Sequence, residues 1–201
     1  MTTDDFYGFM FSDVCTEDMV YRALDKKESS VLIISSGGMG GSTLLKSFYQ
    51  YYENRNFTVI MLESSFINKL LESNSYESLL QYDVMFIDGF QNITEHFLSD
   101  FIVFKQTFIN KGGKMFLKGN PSEKMTAFKQ MEKPYTILLQ DLLLEIKEKL
   151  LNKWISSFNI HIDNQEIQKL LQLACKSYRE FEYNAFITLF QNQITNDRHS
   201  G

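Results

Sequence analysis

Short apolar runs separate helical stretches along the first two thirds of the chain. Runs of four to six residues, rich in Val, Ile and Phe and bounded by polar or Gly residues, are typical of strands buried on both faces of a sheet. Between them, apolar residues lie three or four positions apart, which predicts amphipathic helices. Five strands are predicted in this way: Val31–Ile34, Phe57–Leu62, Asp83–Asp88, Lys114–Leu117 and Tyr135–Leu139.

Helices alternate with these strands. Helical periodicity covers Thr16–Asp25, Thr43–Glu53, a helix capped by Ser64 or Ser65, Tyr76–Leu80, Thr94–Asn110 and Ser122–Met131. Such alternation is typical of an α/β protein with a doubly wound parallel sheet, because parallel strands need crossover connections. We therefore predict a five-stranded parallel sheet flanked by helices.

The pattern changes at Asp141. Three helical stretches follow, Asp141–Ser156, Asn164–Ala174 and Tyr178–Asn192, and no strand pattern lies among them. We predict that residues 1–140 form an α/β core and that residues 141–201 form a small α-helical lid.

The composition narrows the class of protein. Of the 201 residues 44% are hydrophobic, which is typical of a globular chain. The net charge of −5, from 25 acidic and 20 basic residues, is not that of a protein that wraps nucleic acid. Cys15 and Cys175 have no Cys or His companions, and no apolar stretch approaches the length of a membrane span. We therefore expect a cytoplasmic protein without a membrane segment.

A Ser/Gly-rich loop after the first strand is the main candidate for chemistry. Residues 36–43 read Ser-Gly-Gly-Met-Gly-Gly-Ser-Thr and partly fit the phosphate-binding pattern G-x-x-x-x-G-K-[ST], in which backbone N–H groups hold phosphates. Ser36 replaces the first Gly of the pattern and Ser42 replaces its Lys. The alternative is a flexible turn without a ligand. The candidate nucleotide-binding residues here are Gly37, Gly38, Gly40, Gly41, Ser42 and Thr43.

Two polar residues follow later strands, at the edge where open parallel sheets bind ligands. Asp88 ends the third strand and would help Thr43 to hold Mg²⁺, but Gly89 stands where a second acid would polarise the attacking water. Asn120 follows the fourth strand and would contact a γ-phosphate. Both are also common turn residues, which is the plainer alternative. The missing Lys and the missing acid together argue against a working ATPase.

Four segments, taken in order, resemble the AAA+ domain of the bacterial replication initiator DnaA and of its short relative Hda. They are Val31–Leu45, Gln81–Ile93, Lys114–Lys124 and Asp141–Leu189. Residues 82–93, Tyr-Asp-Val-Met-Phe-Ile-Asp-Gly-Phe-Gln-Asn-Ile, look like the family's V-D-V-L-L-I-D-D-I-Q-F-L.

The resemblance implies roles for individual residues. Asp88 matches the Walker B Asp, and Gly89 replaces the second acid of that motif. Asn120 takes the sensor 1 position, and Arg179, within Arg-Glu-Phe-Glu, takes the sensor 2 position. Where the family carries arginines between two prolines, this chain has Lys124, Lys129 and Lys133, so we do not expect hydrolysis in a neighbouring subunit.

The resemblance also implies ligands and partners. It implies a P-loop AAA+ core with a lid that binds ADP or ATP weakly, ADP being favoured because it lacks the γ-phosphate. Mg²⁺ is expected at Thr43 and Asp88 only if a nucleotide binds. The expected partner is a DnaA-type initiator or another AAA+ replication protein. We expect no sequence-specific DNA binding, because the chain ends before the family's helix-turn-helix domain.

The predicted function is regulation of replication initiation through protein contacts, with a degenerate nucleotide site. Two alternatives stay open. One is an active P-loop ATPase whose missing charge comes from Lys46 or Lys118. The other is a structural subunit of a clamp-loader-like assembly.

Overall fold

A computed structural model describes residues 17–139, 144–160 and 162–199. The chain divides into two compact units, Met1–Gln140 and Asp141–Gly201. The predicted helix start at Asp141 lies outside the described residues, as does Thr16.

The first unit contains a five-stranded sheet in the order β2-β3-β4-β1-β5, and every neighbouring pair is parallel. The predicted fold class is therefore confirmed. Strand β4 lies between β3 and β1, so it is hydrogen-bonded to both of the strands that lead to candidate site residues. The strands are β1 Ser30–Ser35, β2 Val59–Glu63, β3 Val84–Asp88, β4 Lys114–Gly119 and β5 Tyr135–Leu139.

Helices connect the strands in sequence order. Short 3-10 turns, Glu77–Gln81, Phe90–Asn92 and Glu95–Phe97, occupy the connections on either side of β3. The α-helices of this unit are α1 Glu17–Leu24, α2 Gly41–Glu53, α3 Ser64–Glu72, α4 Leu98–Asn110 and α5 Glu123–Glu132.

Alternate residues of each strand contribute to two different layers of core. On one face, apolar side chains of β1, β3 and β4 belong to a buried cluster with residues of α3, α4 and α5. On the other face, Phe86 of β3 stacks on Phe116 of β4, with ring centroids 4.9 Å apart, and Phe48 of α2 stacks on Phe116 at the same distance. Helix α2 therefore covers the face that carries Phe86 and Phe116.

The second unit is helical in its described part. It consists of α6 Leu144–Phe158, α7 Asn164–Leu171 and α8 Tyr178–His199. The buried Lys147 of α6 donates hydrogen bonds to the carbonyls of Leu171 and Leu173, at 3.3 and 3.1 Å. These bonds satisfy carbonyls at the end of α7, which explains why that helix stops before the predicted Ala174.

Several predicted boundaries are wrong by a few residues. Strand β2 begins at Val59 instead of Phe57, because the backbone N–H and hydroxyl of Thr58 donate to the carboxylate of Asp83, at 2.7 and 2.6 Å. The predicted helix Thr94–Asn110 begins as a separate 3-10 turn, and the predicted helix Tyr76–Leu80 is also a 3-10 turn. Local side-chain hydrogen bonds compete with regular structure in this way.

A buried ion pair joins α4 to the end of α5. The Nζ atom of Lys105 lies 2.5 Å from Oε2 of Glu132, and only 4% of the lysine side chain and 13% of the glutamate side chain are exposed. Lys105 also lies over the ring of Phe128, 5.1 Å from its centroid. Water is largely excluded from this pair, so neither charge is well solvated without the other.

We predict that Glu132→Gln lowers the free energy of unfolding by about 3 kcal/mol, because the Lys105 ammonium is left buried without its counter-ion. The double variant Lys105→Met/Glu132→Leu recovers most of that loss, since it removes both charges. Urea unfolding measures each value. Lys129→Met on the exposed side of α5 is the control. A double variant no more stable than Glu132→Gln would contradict the prediction.

Candidate functional site

The carboxyl ends of β1, β3 and β4 bring several predicted site residues to one edge of the sheet. The Ser/Gly-rich loop leaves β1, Asp88 ends β3, and Asn120 follows β4 directly. Because the three strands are parallel and adjacent, these positions are neighbours at that edge. The remaining predicted residue, Arg179, belongs to the second unit.

The loop has the backbone conformation that its glycines permit. Gly38 and Gly40 have positive φ angles of 79° and 82°, a region that residues with a side chain rarely adopt. Between them the side chain of Met39 is buried and only 1% exposed, and its N–H donates to the Ser36 carbonyl. Met39 therefore anchors the loop to the core, and the turn does not depend on a ligand.

The loop leads into an open helix N-terminus. Helix α2 begins at Gly41, and its first regular backbone bond runs from the N–H of Leu44 to the carbonyl of Gly40. Among the described residues, no side chain caps this end. The N–H groups of Gly41, Ser42 and Thr43 therefore lack intrahelical acceptors, which is the arrangement that binds anions at helix N-termini.

Lys118 forms an ion pair with Asp88 at this edge. Its Nζ atom lies 3.1 Å from Oδ1 of Asp88, and 13% of the lysine side chain and 35% of the aspartate side chain are exposed. Asp88 and Lys118 are register partners on β3 and β4, two residues beyond the stacked pair Phe86 and Phe116. Both side chains therefore project from the sheet face that α2 covers.

The close approach of α2 to β1 depends on Gly41. A Cβ atom at position 41 would lie 1.9 Å from Oγ of the buried Ser35 and 3.3 Å from Cε of Lys118. The lysine stem therefore passes directly beside the start of α2. In the sequence, Lys118 is one of two alternative sources of the missing charge, and only the strand order and register place it beside Asp88.

Gly89, where the resemblance places a second acid, has a conformation that disfavours a side chain. Its φ angle is 78°, and a Cβ atom there would lie 3.1 Å from Oγ of Ser64 and 3.3 Å from Nδ2 of Asn92. A carboxylate side chain at this position would therefore be both strained and crowded.

The segment around Asn120 is held by Gln91 and Lys124. The N–H of Asn120 donates to Oε1 of Gln91 at 3.0 Å, and the Asn120 residue is exposed. The Lys124 ammonium donates to the carbonyls of Gln91 and Ile93. Lys124 therefore has a structural role within the unit, whereas Lys129 and Lys133 are exposed.

Two further basic residues are exposed. Lys46, one turn into α2, is exposed, whereas Lys118 contacts the site directly. Arg179 is exposed in the first turn of α8, and its assignment to sensor 2 stays a prediction.

These residues suit an anion better than a divalent cation. Mg²⁺ needs an unobstructed set of oxygen ligands at short range, and the Lys118 ammonium holds the Asp88 carboxylate that would supply one. The same ammonium and the open N-terminus of α2 both attract negative charge. Within the described residues, no group of three or more His, Cys, Asp and Glu side chains can hold a metal ion. The residues thus fit a phosphate, and Asp88 would be open to Mg²⁺ only if Lys118 moved away from it.

We predict that Gly41→Ala destabilises the protein by about 1–3 kcal/mol, because the new methyl group overlaps Ser35. Gly37→Ala is the matched control in the same loop, since a Cβ atom there has no heavy atom within 4 Å. Ser35→Gly should recover part of the loss in the Gly41→Ala background. Thermal unfolding measures all variants, and equal melting temperatures for the two alanine variants would refute the packing argument.

No protein-family model and no curated protein matches the chain. Solved structures do match its fold. The replication initiator DnaA bound to AMPPCP and single-stranded DNA has a TM-score of 0.68 at 17% identity, with 95% of this chain and 68% of that chain covered. Domain III of the Thermotoga maritima replication initiation protein DnaA has a TM-score of 0.61 at 16% identity, with 94% and 90% covered.

A second AAA+ protein is similar to a lower degree. Thermotoga maritima RuvB has a TM-score of 0.60 at 13% identity, with 86% of this chain and 61% of that chain covered. In the described part of the chain no helix is long and apolar enough to cross a membrane. At these identities the matches show the fold alone: the chain has the AAA+ fold of the DnaA type.

Proposed function

We propose that this chain is a DnaA-like regulator of replication initiation that acts by protein contact and does not hydrolyse nucleotide. Its loop binds ADP or ATP weakly and without Mg²⁺, and Lys118 replaces the lysine that the loop lacks. The role of the nucleotide is then to hold a conformation. The partner is a DnaA-type initiator or another AAA+ replication protein.

The ion pair between Lys118 and Asp88 carries this proposal. A lysine ammonium has three N–H donors, so Lys118, beside the start of α2, can contact a phosphate while it keeps its contact with Asp88. That contact supplies the charge that Ser42 cannot supply.

Three features support the absence of hydrolysis. Asp88 is paired with an ammonium, so it is a poor ligand for Mg²⁺. Gly89 has no carboxylate to polarise water, and its left-handed backbone disfavours one. Lys124, which lies in the segment that carries arginines in the family, is bound to carbonyls of its own unit. Positioning and charge stabilisation, which carry phosphoryl transfer, are thus both weakened.

The proposed partner rests on the fold. AAA+ domains act in assemblies of related domains, and solved DnaA structures match most of this chain. A domain of the same shape with a weak nucleotide site can occupy a position next to an active one and alter its state. Exposed Arg179 is proposed to contact nucleotide as the sensor 2 residue.

We predict that ADP binds with equal affinity in the presence and absence of Mg²⁺. Lys118→Met weakens binding by about ten- to a hundredfold, since one charge-assisted contact to phosphate is lost. Lys46→Met is the matched control, because that lysine lies one turn into α2, is exposed, and is not the ion-pair partner of Asp88. Fluorescence titration with a labelled ADP measures each dissociation constant.

The same titration can contradict the proposal. If Lys46→Met abolished ADP binding and Lys118→Met did not, Lys46 would supply the phosphate-binding charge and the proposed role of Lys118 would be wrong. Asp88→Asn should leave ADP affinity unchanged or raise it, because Lys118 is released from its carboxylate. If neither nucleotide bound at millimolar concentration, the proposed nucleotide site would be wrong and only a role in protein contacts would remain.

An active ATPase is the second candidate, and the position of Lys118 is the observation that favours it. In that case Lys118 acts as the displaced loop lysine and Asp88 is free to bind Mg²⁺ once the nucleotide is present. Mg²⁺-dependent ATP turnover that Asp88→Ala abolishes would establish this activity and overturn the non-catalytic proposal.

For the partner, we predict a complex with a purified DnaA-type initiator that depends on the nucleotide bound to the initiator, because AAA+ domains contact one another at their nucleotide sites. Sedimentation velocity of the two proteins with ATP or ADP measures the complex. A RuvB-type AAA+ protein is the control. Equal binding to both proteins, or to RuvB alone, would refute a specific role in initiation.

A further inference from the structure

A cavity lies at the edge of the sheet where the strands begin, opposite the candidate nucleotide site. Its volume is about 580 Å³, within the range of small-molecule sites. Its lining includes Lys114 and Val84, the first residues of β4 and β3, and Tyr52, Arg55 and Phe57, at the end of α2 and just beyond. The Ser/Gly-rich loop follows the carboxyl end of β1, so this cavity is separate from the site described above.

Two basic side chains line this cavity and are held by carbonyls near helix ends. The Lys114 ammonium donates to the carbonyl of Asp25 at 2.7 Å, and the Lys114 residue is only 8% exposed. The Arg55 guanidinium donates to the carbonyl of Tyr51 at 3.2 Å and stacks 3.6 Å above the Tyr51 ring. Each bond uses one N–H group, so each of these two lining cations keeps further N–H donors.

Asp83, the carboxylate that lines the cavity, is already hydrogen-bonded to Thr58. Asp83 accepts hydrogen bonds from the backbone N–H and the hydroxyl of Thr58, and these bonds hold the pKa of Asp83 below its usual value. The Asp83 carboxylate is therefore ionised, and its negative charge is already hydrogen-bonded within the protein. Lys26 adds a third basic group to the lining. The rest of the wall is largely aromatic and aliphatic, including Tyr52 and the partly exposed Phe57.

We propose that this cavity binds a small organic anion with an aromatic or apolar body, whose carboxylate or phosphate contacts Lys114 and Arg55. The apolar body lies against Tyr52 and Phe57. The inference is independent of nucleotide binding at the loop. A purely structural role for the two cations would account for the helix-end bonds, but not for their position in the wall of one apolar cavity.

The charge of Lys114 makes binding depend on pH. Burial lowers the pKa of Lys114 to about 8, an effect that the nearby charges of Glu28 and Asp25 partly oppose. Arg55, Lys26 and Asp83 are the other charged groups of the cavity. Lys114 loses its proton as the pH rises through this value, so an anion binds more weakly above it than below it.

The test uses 1-naphthoate as the probe and its uncharged amide as the matched control ligand. We expect isothermal titration to show saturable naphthoate binding that Lys114→Met weakens about tenfold or more and Arg55→Gln weakens less. Naphthamide should bind more weakly than naphthoate and respond little to either variant. Wild-type affinity for naphthoate should fall between about pH 7 and pH 10, and that of Lys114→Met should not.

Controls keep the test decisive. Lys69→Met changes an exposed lysine of α3 and should bind as the wild type does. If Lys114→Met does not fold, Arg55→Gln and Phe57→Ala decide the question, because both positions are exposed. No saturable binding at millimolar naphthoate, or binding that none of the cavity variants changes, would overturn the proposal. Both outcomes leave the nucleotide site untouched, so this failure is distinct from failure of the proposed function.

Discussion

The parallel register of β3 and β4 is the constraint on which the site depends. It sets Phe86 beside Phe116 and, two residues on, Asp88 beside Lys118. The aromatic stack and the ion pair therefore lie on one face of the sheet, under α2. A slip of β4 by one residue would turn Lys118 to the other face of the sheet, away from Asp88 and the helix N-terminus.

This register changes the electrostatics expected of a nucleotide site. In the sequence, the motif loses a positive charge at Ser42 and keeps a negative one at Asp88, so it resembles a site that has lost its affinity for phosphate. In the fold, Lys118 restores the charge from a neighbouring strand and neutralises the aspartate. The added positive charge at this edge of the sheet favours the binding of an anion over the binding of a metal ion. That preference is the physical basis of the proposal that this chain binds nucleotide without hydrolysing it.

Strand β4 supplies a lysine at each end. Lys114 and Lys118 lie on the same face as Phe116, and the ammonium of Lys114 lies 5.5 Å from the centroid of that ring. One lysine is held by a carboxylate and the other by a carbonyl. The parallel strands thus present a basic group at both edges of the sheet, and Gly41 at one end of α2 and Arg55 just past the other end lie beside these groups.

The alternation of strands and helices, the parallel sheet and the position of the loop could be predicted from the sequence, because apolar periodicity and glycine positions are local signals. The sequence also placed Asp88 and Asn120 at the edge that carries the loop. It misplaced the starts of β2 and α4, where local hydrogen bonds to side chains and 3-10 turns compete with regular structure. The sequence could not show that Lys118, and not Lys46, lies beside Asp88, or that Lys114 and Arg55 share a cavity. Both relations join residues far apart in sequence, so they depend on strand order and register, which no single segment of the chain encodes. The approach of Gly41 to Ser35 is local in sequence, but it depends on how closely α2 packs on β1.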